Sequence, residues 1–219
     1  MIPQETLSLM HKELQLEWRQ KHALGGILLY LVSTIFICYL AFEGAMTVQT
    51  WNALFWIIMA FASINLVLKS FSEENSGRKL YLYCLASPTS VIFSKIFINT
   101  LVMFAMGILG YLLFSLFMGS VVQNVVAWWL VLLAGVAGFA AVLTMVSAIA
   151  GQTKNNFTLM AVLGFPLILP LILLLIRASA AAIGGSPLAT VLPDLLVIVL
   201  LISIALTLSG ILFPYLWRE

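Results

Sequence analysis

Six runs of apolar residues, separated by short polar stretches, dominate the chain. They cover residues 24–42, 51–71, 91–118, 125–150, 157–180 and 195–215. A helix rising 1.5 Å per residue crosses the hydrocarbon layer with roughly twenty such residues, so each run predicts a transmembrane helix. The first 23 residues follow another pattern. Leu7, Met10, Leu14 and Trp18 recur at spacings of three and four, with Glu13, Gln15, Arg19 and Gln20 off that stripe. This spacing predicts an amphipathic helix lying along the membrane surface. A second polar island, SEENSGRKLYLYCLASPTSVIFSK, spans residues 72–95 between the second and third runs.

Composition supports the same class. The 219 residues are 63% hydrophobic and 8% charged, with a mean hydropathy of +1.14, whereas soluble domains carry about a quarter charged residues. Open sheet edges find no partner in lipid, so the expected fold is an all-α polytopic membrane protein. Residues 1–23 are expected to form the N-terminal helix and 24–219 a six-span body, together a single domain. The start is not a cleaved signal peptide, because no short basic segment leads directly into an apolar core.

Charge distribution orients the spans. Lys12, Arg19, Lys21, Lys69, Arg78, Lys79, Lys95, Lys154 and Arg218 fall on one side of an alternating six-span arrangement, and only Arg177 falls on the other. The positive-inside rule places both termini and the island in the cytoplasm. Arg177 lies 23 residues beyond Lys154, about 34 Å of helix, and is expected at the outer interface. There it snorkels as an anchor or, less simply, contacts a substrate. Trp51, Trp128 and Trp129 mark the outer boundary, and Trp18, Tyr215 and Trp217 the inner one.

Several local patterns refine the spans. Ala134, Ala137, Gly138 and Ala141 give the fourth span small faces for close helix packing. Pro166 and Pro170, in GFPLILP, each remove a backbone donor and predict a bend in the fifth span. The small-residue stretch 178–194 reads as a partly re-entrant connection, with Asp194 capping the sixth span. Asn65 is expected to bond a neighbouring helix. Enzymatic chemistry is not encoded. No Asp or Glu sits mid-span, and neither H-E-x-x-H, G-x-S-x-G nor a GxxxxGK[ST] phosphate loop occurs. Cys38 and Cys84 fall on opposite sides of the bilayer, and neither a zinc site nor covalent haem attachment is encoded. Any uphill transport needs energy from a partner.

The island has the pattern of a short helix. Glu73 and Glu74 precede it, where acidic residues favour a helix N-terminus. Leu80, Tyr81, Tyr83, Cys84 and Leu85 supply bulky side chains, and Pro88 ends it by driving the preceding residue out of the α region. Thr89 or Ser90 then caps the third span. Tyrosines on a rigid helix at the membrane surface suit docking of a soluble partner.

The acidic pair, E-x-x-G from Glu74 to Gly77, L-x-x-P from Leu85 to Pro88 and P-x6-K from Pro88 to Lys95 resemble ABC-2-type permeases. GRKLYLYCLASPTSVIFSKIFINTL followed by FPLILPLIL resembles haem exporter protein B, the CcmB permease family of cytochrome c maturation. The resemblance implies a coupling helix on an ABC ATPase (CcmA-like) subunit, carried by Glu73, Glu74, Gly77, Arg78, Lys79, Leu80, Tyr81, Tyr83, Leu85 and Pro88. It also implies a homodimer in the bacterial inner membrane beside other cytochrome c maturation membrane proteins. The resemblance leaves haem as possible cargo, with export of haem or release of a haem-loaded chaperone both open, and implies no covalently bound cofactor and no nucleic acid as partner. The alternatives are an ABC-2-type permease for a drug, lipid or polysaccharide, or a non-transporting scaffold. The orientation is checked with introduced cysteines: an impermeant thiol reagent should label position 49 from outside, and positions 75 and 155 only after the membrane is opened. Outside labelling at position 75 overturns it.

Overall fold

The computed structural model describes residues 2–19, 21–42, 46–72, 87–151 and 156–216. Among these the chain is helical, in the order α1 (Ile2–Arg19), α2 (Lys21–Phe42), α3 (Val48–Ser72), α4 (Pro88–Met118), α5 (Val125–Ala150), α6 (Asn156–Ile183) and α7 (Leu188–Leu216). Helices α2 to α7 are each long and apolar enough to cross a membrane, as the six runs predict.

Helix α5 sits at the centre and packs against α3, α4, α6 and α7. Its small residues make this possible. The side chain of Leu171 lies over Gly138, where a Cβ would come within 2.9 Å. At Gly135 a Cβ would lie 2.6 Å from the Trp56 ring and 2.9 Å from Leu175. The small face of the fourth span therefore serves packing within the chain. Lipid tails are as apolar as leucine, so such close contact is what holds helices together in a membrane.

The core differs between its two ends. Towards the start of α3 and α5 it is aromatic: Trp51 stacks on Phe55, with centroids 5.8 Å apart, and Trp128 lies 5.4 Å from Trp51 and 5.2 Å from Phe55. Phe114 meets Trp51 edge-on at 5.3 Å. Trp51 and Trp128 are 1% and 0% exposed, so they form the core rather than the interfacial belt expected of them. Trp129 is half-buried against Phe104 and Tyr111. Towards the start of α4 the buried residues include Ser63, Ser90, Ser94, Lys95, Asn99, Thr144, Ser147 and Ser209. One end is a block of rings and the other is threaded with hydroxyls.

Two boundaries differ from the sequence expectation. Helix α4 begins at Pro88 with Ser87 as N-cap, two to three residues earlier than placed; proline at the first position lacks only an N–H that would be unpaired anyway. Ser87 offers no side-chain cap bond and donates instead to Ser90 Oγ at 2.7 Å. Helix α7 begins at Leu188 rather than 195, so the preceding connection is a tight turn, not a re-entrant segment. Gly185 has φ of 72°, Ser186 N–H donates to Ala181 O at 3.0 Å and Gly185 N–H to Ala182 O at 3.3 Å. That is a Schellman ending, which needs the left-handed residue that glycine supplies. Pro166 and Pro170 lie within α6, which continues as helix on both sides of them, with both side chains exposed.

Replacing Gly135 by alanine forces a methyl into the Trp56 ring, and overpacking of this kind costs about 1–3 kcal/mol. Gly135→Ala should therefore lower the unfolding midpoint of the detergent-solubilised protein. Gly25→Ala, whose Cβ meets nothing within 4 Å, should not lower it. Equal midpoints for the two variants would contradict the packing.

Candidate functional site

The residues singled out for ATPase contact divide at Pro88. Glu73, Glu74, Gly77, Arg78, Lys79, Leu80, Tyr81, Tyr83 and Leu85 lie outside the described residues, as do Cys84, Lys154 and Arg218. Pro88 is the first residue of α4, so that helix starts directly after the segment.

The base of α4 is held by α1. Thr6 Oγ1 donates to Ser90 Oγ at 3.2 Å, and Lys95 Nζ stands 3.8 Å from Glu13 Oε2. Lys95 is 2% exposed and Glu13 15%. A charge removed from water this far is tolerated beside an opposite charge, which explains why Lys95 sits in the core of a lipid-embedded helix. The polar side of α1 thus faces α4, while Leu7 is 71% and Leu14 39% exposed. Of the stripe read from sequence, Leu7 and Leu14 are exposed and Met10 is half-buried, while the off-stripe Glu13 points to protein rather than to solvent. Deeper in the bundle, Asn99 Nδ2 donates to Thr144 Oγ1 at 2.9 Å and ties α4 to α5.

At the opposite end a buried hydroxyl joins two helices. Ser179 Oγ on α6 donates to Asn52 Oδ1 at 2.7 Å and accepts from Trp56 Nε1 at 2.8 Å, both on α3. Asn52 Nδ2 completes the link by donating to Ile176 O at 2.8 Å. Asn124 caps α5, accepting from Ala127 N–H at 3.1 Å. It also binds the α6–α7 turn through its own N–H to Ala182 O and its Nδ2 to Ser186 O, at 3.0 and 2.9 Å. These bonds latch the α4–α5 connection onto the α6–α7 turn. Asn65, expected to reach a neighbour, is exposed and donates to Phe61 O of its own helix at 3.0 Å. It satisfies itself locally because its side chain points out of the bundle.

Arg177 and Asp194 were each given separate roles by sequence reading, and the structure pairs them. Arg177 Nε donates to Asp194 Oδ2 at 2.9 Å, and Nη2 donates to Asp194 Oδ1. Asp194 is not a cap. It lies in the second turn of α7 because that helix starts six residues before it. The carboxylate is 5% exposed and the guanidinium 73%, so the acid is buried and the base forms its outer cover. A bidentate fork fixes direction as well as charge. Arg177→Gln leaves that carboxylate without its counter-ion and should lower the unfolding midpoint more than Arg177→Gln with Asp194→Asn. A double variant less stable than the single one would refute the coupling.

No curated protein matches the chain. At the level of families, residues 4–213 match CcmB protein, a span that takes in α1, all six membrane-crossing helices and the polar segment before α4. The match agrees with the architecture of six helices long and apolar enough to cross a membrane. The chain belongs to the CcmB family, the multi-pass membrane permease component of the haem exporter of cytochrome c maturation.

Proposed function

We propose that this permease converts ATP hydrolysis by a partner ATPase into haem export, or into release of a haem-loaded chaperone, during cytochrome c maturation. The observation that carries the reading is the family match across residues 4–213, which includes the tyrosine-bearing segment and the helix that starts at its end. A helix beginning at Pro88 transmits a push better than a loop, because its hydrogen-bonded backbone resists compression along its length. Residues 73–85 are the contact for the ATPase, with Tyr81 and Tyr83 as anchors. Two copies of the chain stand with two ATPase subunits in the bacterial inner membrane. Both termini are cytoplasmic, in keeping with nine of ten basic residues on that side.

On the other side of the membrane, the Arg177–Asp194 pair is the outer contact. Asp194 takes one edge of the guanidinium and leaves the rest facing outward. Haem enters as cargo and is not held covalently. The other maturation proteins receive it or its chaperone.

Truncating an interface anchor costs about 2 kcal/mol or more, roughly a thirtyfold loss in affinity. Tyr81→Ala with Tyr83→Ala should weaken co-purification of the ATPase by about that factor while membrane insertion persists. Lys154→Ala should do less, since one exposed charge seldom dominates an interface. Unchanged binding and unchanged ATPase activity in the tyrosine variant would rule out this segment as the contact.

A further inference from the structure

The inner part of α4 is fastened to α1 by two contacts one to two turns apart on each helix. Thr6 meets Ser90 at 3.2 Å, and Glu13 meets Lys95 at 3.8 Å. Seven residues separate the two contacts along α1, about 10 Å, and five along α4, about 8 Å. Contacts spaced so similarly on both helices, with residue numbers rising together, mean that α1 runs alongside α4 rather than crossing it at one point. The second contact is the more restrictive. Lys95 is 2% exposed, and parting it from the carboxylate of Glu13 weakens the pairing of a charge held in a low-dielectric interior. Leu9 packs against the hydrophobic core from the same helix. Helix α2 then begins at Lys21, two residues after α1 ends.

We infer that Glu13 and Lys95 join α1 and the inner third of α4 into one rigid lever, which carries displacement of the 73–86 segment to α2 as well as along α4. The inference rests on the reading of that segment as the ATPase contact. A push on Pro88 moves α1 together with α4 and pulls the start of α2, and the buried pair is the contact that resists slippage between the two helices. Glu13 and Lys95 are therefore positioning residues for coupling, and they touch neither nucleotide nor cargo.

The test fixes the two helices covalently. In a protein whose Cys38 and Cys84 are replaced by serine, Thr6→Cys and Ser90→Cys together should form a disulfide in native membranes under mild oxidation. Each single variant should form none within the chain. The cross-linked permease, purified with its ATPase, should keep permease-dependent ATP turnover within about twofold of the reduced sample, since bodies that move together lose nothing by being joined. Glu13→Gln should lower that turnover about tenfold, a coupling energy of about 1.4 kcal/mol, with the amount of bound ATPase unchanged. A lever is refuted if the disulfide stops turnover that reduction restores, because the helices would then have to part. It is also refuted if Glu13→Gln leaves turnover intact, or if two accessible cysteines do not cross-link. Absence of any ATPase in preparations of the unaltered permease instead refutes the functional reading. Cross-linking at positions 6 and 90 then still decides whether α1 and α4 form one body.

Discussion

Within a hydrocarbon layer a polar group that finds no partner inside the protein finds none at all, and this constraint governs where each hydrogen-bonding side chain of the bundle stands. Ser179 is bonded on both sides by α3, Asn99 reaches across to Thr144, and Asp194 is sealed by Arg177. Serines and threonines without a partner helix, such as Ser63, Ser203 and Ser209, turn back to the carbonyl four residues earlier in their own helix. Interhelical bonds of this kind average about 0.6 kcal/mol in a membrane, so they fix register more than they hold the helices together. Cohesion comes from contact: rings on glycine, and leucines in the gaps beside α5.

The two ends of the core have different mechanical characters as a result. Stacked and edge-on rings around Trp51, Phe55 and Trp128 interlock and leave few alternative rotamers. The indole N–H groups of Trp51 and Trp128 are buried there without a hydrogen-bond acceptor among the described residues. Hydroxyl-rich packing near the base of α4 consists of smaller side chains with interchangeable bonds. The stiff end also carries the Asn124 latch. The base of α4 belongs to the softer part of the molecule.

Much of this was legible in the residue pattern. Span number and approximate limits follow from apolar run length, because the thickness of the bilayer sets the same requirement for every helix. The small face of α5 was also readable, since it is a property of a single helix. Pairings between distant residues were not. Glu13 and Lys95 lie 82 positions apart, and nothing in either local pattern names the other. Asp194 was misplaced because Pro193 reads as a helix boundary, although α7 accommodates it internally. Trp51 and Trp128 were misplaced for a related reason: tryptophan near a span end is common at the interface, and only tertiary packing shows that these two turn inward. The small-residue run ending at Gly185 resembled a loop because its alanines carry no periodic signal, yet alanine is the best helix former.

The unequal lengths of the spans bear on the lipid around them. The apolar part of α2 is 18 residues, about 27 Å, while α4 runs 31 residues, about 46 Å. A hydrocarbon layer of about 30 Å exceeds the first and falls well short of the second. A span as short as α2 is matched by local thinning of the bilayer or by flanking side chains that reach the interface, whereas α4 has surplus length to absorb by leaning or by standing clear of the acyl chains. Helices α2 and α4 pack against each other, so a short and a long apolar length stand side by side where the permease meets lipid, and no single acyl-chain length suits both.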